Sequence, residues 1–466
     1  MKKKNIKRWL ALGISSIMMA SMVGCSGTKS DETVNTTDTS STSEKAGTSD
    51  TANTTETTSG EVKTLTVLMY TDWYKAGWEA LEKYTNENSA DLGFKLEISK
   101  IQGGSQGDQV IQTKFATDDL PDIIQIYKPA WVETNTSNGL DKLVDLTGLE
   151  SMSEYEESAL KGTFVYNDKL YGIPMDSVTL SGVFYNKQVF EATGVEIPQT
   201  WEDMLAVCET LKAKGVTPVY YSAKDVWTVQ PNTVSGLVSE AAKRGIDTFE
   251  LMNQISINKI KYSECQNFID AIEQSKQLID LGYVNETYLS DTFETAQQAL
   301  ADGTCAMYIN GTWCADNITE KFPEQADNIG SFAMPTISGE NYINMFTPYT
   351  LALTTKCDDE ELGKKAMNFL ASSQAQQIYA TAQPGLYLNT KVDCTLSVAT
   401  ADLKKIMDSG KSMTDWEEIN KYSYGSLGEN ILDYYTGTLK EAKDVTAALD
   451  AETEKSAKAQ GDSNWE

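Results

Sequence analysis

No histidine occurs anywhere in the 466 residues. That removes the Ser-His-Asp and Cys-His nucleophile systems, imidazole proton transfer near neutral pH, and any metal site that needs imidazole. Cysteines stand at 25, 208, 265, 305, 314, 357 and 394, and no two form a C-x-x-C pair. A thiolate metal site or a redox pair is therefore not expected. There is no Asp-x-Asp-x-Asp-Gly loop suited to calcium, so the expectation is no metal and no other cofactor. Carboxylate chemistry remains, with 67 acidic residues against 39 basic ones. Two carboxylates could serve as acid and base in a hydrolase or lyase. The acids are scattered along ordinary solvated helices, however, and no pair is flanked by a catalytic motif. The net charge of −28 argues against nucleic acid, whose phosphates need Lys and Arg to displace counterions. It also disfavours anionic ligands and reads most simply as solubility.

The elements that must position any site read as alternating strands and helices. Residues 63–70 alternate and are rich in β-branched residues, as in a strand. Trp78, Leu81 and Thr85 carry helical spacing, residues 94–98 alternate again, residues 110–116 are helical, and residues 121–126 form a buried strand. That is β-α-β-α-β, the pattern of an α/β layer with a mostly parallel sheet. Downstream, residues 182–185, 219–221, 304–310 and 351–353 read as strands. Helices are expected over 201–214 with Thr200 as N-cap, over 262–281, 292–302, 358–381 and 438–458. A chain of this length suggests two domains or lobes. In open α/β sheets ligands gather beyond the C-terminal strand ends. Asp72 and Trp73 follow the first strand, and Tyr127, Lys128 and Trp131 follow the strand ending at Ile126, so one or more of these should face a cleft. Trp201, at the start of a capped helix, reads as structural.

The N-terminus reads as an export signal. Met1–Arg8 is basic, Trp9–Gly24 is apolar but short for a membrane span, and Met22-Val23-Gly24-Cys25 resembles a bacterial lipobox. Cleavage before Cys25 would remove five basic residues and no acid, taking the net charge from −28 to −33. Acylation of Cys25 would hold the chain at the outer face of the cell membrane, since lipid contributes about 0.8 kcal/mol per buried methylene. Nineteen of residues 26–60 are Ser or Thr. Such a segment cannot bury enough surface to order itself, so residues 25–61 are expected to be a disordered tether.

Four segments carry a resemblance. They are Tyr185-Asn-Lys-Gln-Val-Phe190 with Gly194, Pro198, Thr200–Met204 and Leu211–Pro218; Asp302–Trp313; Leu120–Ile124 with Asn138–Leu146; and Tyr171-Gly-Ile-Pro174. Their order and spacing resemble the extracellular solute-binding proteins of sugar ABC importers, the broad family that includes maltose-binding protein. The likeness runs over about residues 62–455. It implies an α/β fold of two lobes, each a mixed sheet flanked by helices, with a ligand cleft between them. By resemblance, lobe one is 62–179 plus 350–394 and lobe two is 180–349 plus 395–466. The implied function is non-enzymatic: capture of a mono- or oligosaccharide, closure about a hinge, and delivery to the importer's membrane subunits by a monomer.

Sugar rings present apolar faces edged by hydroxyls, so such a site pairs flat aromatics with carboxylates and amides. One stacked face hides about 100 Å², worth roughly 2.5 kcal/mol. Two or three would dominate a micromolar site of about 8 kcal/mol. Trp313, in an Asn-Gly-x-Trp segment similar to one that carries a sugar-stacking tryptophan in the family, leads the candidates. Trp227 follows at a position where the family often places a cleft aromatic, with Asp225 as companion. Asp176 stands near the expected crossing between lobes, where it could accept hydroxyl bonds or act as a hinge or cap. Tyr349 and Tyr387 complete the set. Alternatives left open are a carboxylate-dependent carbohydrate-active enzyme and the same fold binding a polyamine or peptide.

Overall fold

The computed structural model describes residues 62–466 apart from Gly104, Glu156, Ser423 and Tyr424. The expected signal, Cys25 and the tether lie outside the described residues. Strands β1 (Lys63–Tyr70), β2 (Phe94–Ile101) and β3 (Ile123–Ile126) alternate with helices Ala76–Glu87 and Ser105–Thr117. Helix connections force a parallel sense, and β1 pairs in parallel with β2, from Lys63 opposite Phe94 to Tyr70 opposite Ile101, and with β3. A small hairpin, β4 (Val165–Tyr166) and β5 (Lys169–Leu170), precedes β6 (Ile173–Met175). The chain then crosses to a second sheet through Asp176-Ser177-Val178. There it forms β7 (Thr179–Asn186), β8 (Thr217–Tyr220), β9 (Cys305–Gly311), β10 (Ile329–Phe332) and β11 (Ile343–Phe346). It returns through Thr347-Pro348 into β12 (Tyr349–Leu353), and a late strand, β13 (Ser412–Thr414), closes the second sheet.

The first sheet has the order β2-β1-β3-β12-β6 and the second β13-β11-β7-β9-β8, with β10 also on β7. Both are mixed. In the first, β12 runs antiparallel to β3 and to β6. In the first sheet the expected parallel pairing therefore holds for β1 to β3 alone, and in the second it is limited to β8 with β9 and β11 with β13. The antiparallel members come from distant sequence, which a local βαβ pattern does not register. The expected 358–381 helix is likewise two helices, Glu360–Ala371 and Ser373–Ala382. Ser372 between them is extended (ψ 153°), and its side chain caps the second. Helical periodicity continues across the break, which is why the pattern hid it.

Each sheet has its own apolar core. Leu65, Val67, Trp78, Leu81 and Phe94 are buried in the first; Met204, Leu211, Phe268, Met307 and Trp416 are buried in the second. Each fully buried large apolar side chain contributes roughly 1.5–3 kcal/mol. Trp201 is buried, with its indole N–H donating to Gln277 Oε1 at 2.9 Å. Thr200 caps its helix by accepting from Asp203 N, while the Asp203 carboxylate accepts in return from Thr200 N. The fold is thus α/β and two-lobed, and three segments join the lobes: the β6–β7 crossing, the β11–β12 crossing, and residues 383–397 between helix Ser373–Ala382 on the first sheet and helix Val398–Asp408 on the second.

Candidate functional site

A cavity of about 790 Å³ opens where the β6–β7 and β11–β12 crossings pass. Asp176, Ser177 and Thr179 from one crossing and Phe346, Thr347, Pro348 and Tyr349 from the other line it. The volume lies within the range of small-molecule sites.

The first-lobe wall grows from strand ends. β3 ends at Ile126, and Tyr127, Lys128 and Trp131 beyond it all line the cavity. The Tyr127 ring lies 5.4 Å from Trp131. Behind it, Trp73 is buried, stands edge-on to Tyr127 at 5.0 Å and stacks on Tyr349 at 3.7 Å and 16°. Trp73 therefore backs Tyr349 and does not itself line the cavity. Asp108, in the first turn of helix Ser105–Thr117, also lines the wall and accepts the Tyr70 hydroxyl at 2.7 Å. Burial, and then Asp108, raise the Tyr70 hydroxyl pKa well above its ordinary value.

Lys128 is buried (4% exposed), and its ammonium donates to the Thr347 hydroxyl at 2.6 Å and to the Thr347 and Pro348 carbonyls. These three hydrogen bonds go to the crossing. Asp176 has φ 100°, in the left-handed half of backbone space, and its carboxylate is buried. One oxygen accepts from Lys75 Nζ at 2.8 Å; the other accepts from Ser177 N at 2.7 Å and Gln383 Nε2 at 2.8 Å. The Ser177 hydroxyl adds a longer bond at 3.4 Å, so four donors occupy most of its capacity.

The second-lobe wall is aromatic. Helix Thr312–Lys321 starts directly after β9, so Trp313 stands in its first turn and faces the cavity. A Cβ at Gly311 would meet the Trp313 ring at 2.3 Å, so glycine lets the indole fold back over the strand end. Trp313 makes edge-to-face contacts with Phe346 at 5.5 Å and Trp227 at 6.2 Å. Trp227, 42% exposed, packs on Phe293 at 5.0 Å and lies one ring outside the cavity. Asp225 accepts Phe293 N at 2.7 Å, taking up a first-turn N–H of the helix Phe293–Ala301, whose N-cap is Thr292. On the helix that carries Trp313, burial, and then Asp176, raise the Asp316 carboxyl to about 7, against the pull of Lys75.

Of the expected residues, Trp313, Asp176, Tyr127, Lys128, Trp131 and Tyr349 line the cavity; Trp227, Asp225, Trp73, Asp72 and Tyr387 do not. Asp72 is exposed beside Gly103. Tyr387 donates its hydroxyl to Gln383 O at 2.5 Å and packs on Tyr379, behind Asp176. Sequence reasoning missed Lys75, Asp108, Phe346 and a group from the end of the chain: Asn420, Lys421, Tyr422, Ser456 and Gln460. Phe346 was within reach, being three residues before Tyr349 at a strand end. The others sit in polar stretches with no distinguishing pattern. Among the described residues no group of three or more Cys, Asp or Glu is arranged to hold a metal ion, and no helix is long and apolar enough to cross a membrane.

Two α/β lobes joined by crossing segments, with an aromatic and polar cavity at the crossings, define a solute-binding architecture. The family model for bacterial extracellular solute-binding proteins matches residues 69–377, and the chain belongs to that family, one of binding proteins and not of enzymes. It is 24% identical over 271 residues to the multiple sugar-binding protein of Streptococcus mutans, covering 58% of this chain and 63% of that relative. Its fold is similar to a chitin oligosaccharide binding protein, with a TM-score of 0.67 at 18% identity over 85% of this chain and 100% of the other. It is also similar to the solute-binding protein RafE in complex with raffinose, with a TM-score of 0.65 at 18% identity over 84% and 99%.

Proposed function

We propose that this protein captures a carbohydrate, of oligosaccharide size, outside the cell and delivers it to the membrane subunits of an ABC importer. The observation that carries the reading is the composition of the cavity. Flat rings of Trp131, Trp313 and Tyr349 share it with the hydrogen-bonding groups of Asp108, Asp176 and Lys75, the pairing that sugar faces and hydroxyls require. The relatives named for multiple sugars, chitin oligosaccharide and raffinose support the same ligand class. Trp313, Tyr127, Trp131, Tyr349 and Asp176 are the proposed contacts. Trp227 acts from one ring behind. Lys128 supports the crossing.

Delivery rests on closure. We take lobe one as 62–179 plus 350–394 and lobe two as 180–349 plus 395–466, with a ligand that touches both lobes favouring the closed state. Cys25 is the proposed lipid attachment point, with residues 25–61 as the tether. Calorimetric titration with raffinose, maltotriose, xylotriose and chitotriose tests the ligand class, and at least one should bind with about micromolar affinity. Failure of all four, with binding of a polyamine or peptide instead, would overturn it. Labelled palmitate should enter the chain in a bacterial host and be lost in Cys25→Ser; retained label would remove the anchor.

A further inference from the structure

One edge of the cavity is built by residues far beyond the matched family segment. Lys421 and Tyr422 follow the turn Trp416–Ile419, and Gln460 ends the helix Ala442–Ala459. All three line the cavity. The chain after Gln460 folds back onto Lys421 and Tyr422. Lys421 Nζ donates to Asp462 Oδ2 at 3.0 Å, and the Tyr422 hydroxyl donates to the same oxygen. The buried Tyr422 ring stands edge-on to the buried Trp465, 6.4 Å away at 82°. Trp465 is fixed in turn, because its indole N–H donates to Ser256 O at 2.7 Å. Asp462 Oδ1 accepts Asn464 N at 2.9 Å, which holds the carboxylate's orientation.

We propose that Lys421 is a ligand-contacting donor on this edge of the cavity and that Asp462 and Trp465 are the positioning residues that hold it there. The proposal rests on the carbohydrate reading above. An ammonium has three N–H donors, and Asp462 takes one at an angle fixed by Tyr422. The side chain is 39% exposed and lines the cavity, so its remaining donors can reach an oxygen of a bound ligand. Asp462 already balances its charge. The edge therefore suits a neutral, oxygen-rich ligand, such as the hydroxyl or ring oxygens of a sugar, and does not call for an anion. Trp465 acts at one remove: it packs Tyr422, and Tyr422 shares the Asp462 oxygen with Lys421.

The test uses the full chain and whichever of raffinose, maltotriose, xylotriose and chitotriose binds the unaltered protein best. Lys421→Met should weaken that probe about tenfold, the loss of one charge-assisted hydrogen bond, with only a small fall in melting temperature from the lost pair with Asp462. Asp462→Asn should weaken it severalfold alone but add nothing in the Lys421→Met background, a coupling that a merely structural role would not produce. Trp465→Ala should weaken binding, and Trp465→Phe, which keeps a ring against Tyr422 but loses the bond to Ser256 O, should weaken it less. Should Trp465→Ala fail to fold, the Lys421 and Asp462 variants decide. Unchanged affinity in Lys421→Met, or additive losses in the double variant, overturns this proposal and leaves the carbohydrate reading standing. No binding of any of the four sugars by the unaltered chain overturns both.

Discussion

Lys128, just past the end of β3, sends its ammonium to the Thr347 hydroxyl across 2.6 Å, in the crossing between β11 and β12. The β6–β7 crossing is held in the same manner, by Lys75 on Asp176 at 2.8 Å. Two of the three links between the lobes are thus each braced by one lysine of the first lobe. The braces differ in burial: Lys128 is enclosed, whereas the Lys75 side chain is 48% exposed.

That difference predicts unequal costs. Lys128→Met leaves the carbonyls of Thr347 and Pro348 without this donor in a buried setting and should destabilise by about 2–3 kcal/mol. Lys75→Met removes a partly solvated pair and should destabilise by about 1 kcal/mol or less, although Asp176 keeps its bonds to Ser177 N and Gln383. Denaturant unfolding of the two variants measures both. Equal losses would mean that the Lys128 ammonium is hydrated in solution.

Trp313→Ala should weaken sugar binding by about 1.5–3 kcal/mol, the loss of one buried stacking face, with little change in melting temperature. Trp227→Ala should weaken it by about 1 kcal/mol or less, because Trp227 touches Trp313 and not the cavity. Trp201→Ala is the contrast: it empties a core position and should destabilise by about 3–5 kcal/mol while the folded fraction binds normally. Calorimetry and melting curves separate the three. A Trp313→Ala protein that melts far below the unaltered chain yet binds normally when folded would assign the indole to the core.

Asp316 predicts a pH dependence. Burial, and then Asp176, lift its carboxyl from the ordinary 3.8 to about 7. Between those values the folded chain keeps this proton while the unfolded chain releases it. The contribution is therefore fully present below pH 3.8 and is lost progressively as pH rises through about 7. Asp316→Asn removes the titration. The variant should gain melting temperature relative to the unaltered chain as pH rises from 4 to 8, with the difference levelling off above 7. A constant difference across that range would place the carboxyl in solvent.

The sequence by itself determined the layers, because they depend on local patterns. Alternation made β1 and β2, Thr200 with Asp203 made a capped helix, and Gly311 before Trp313 marked a strand end with an aromatic beyond it. Six of the eleven expected residues line the cavity; five of them, Tyr127, Lys128, Trp131, Asp176 and Trp313, follow the C-terminal ends of strands, where ligands gather in an α/β layer, whereas Tyr349 opens β12. What each side chain does there depends on contacts made across the folded chain. Trp73 and Trp131 are alike in sequence, yet one is buried under Tyr349 and the other lines the cavity. Lys128 stands among cleft residues, yet it donates to Thr347 and Pro348 in the crossing. The edge formed by Lys421, Tyr422 and Gln460 exists only because the chain near Trp465 returns to Ser256, about two hundred positions earlier. No local pattern records such a contact, because its energy comes from partners that chain folding brings together and that sequence periodicity does not encode.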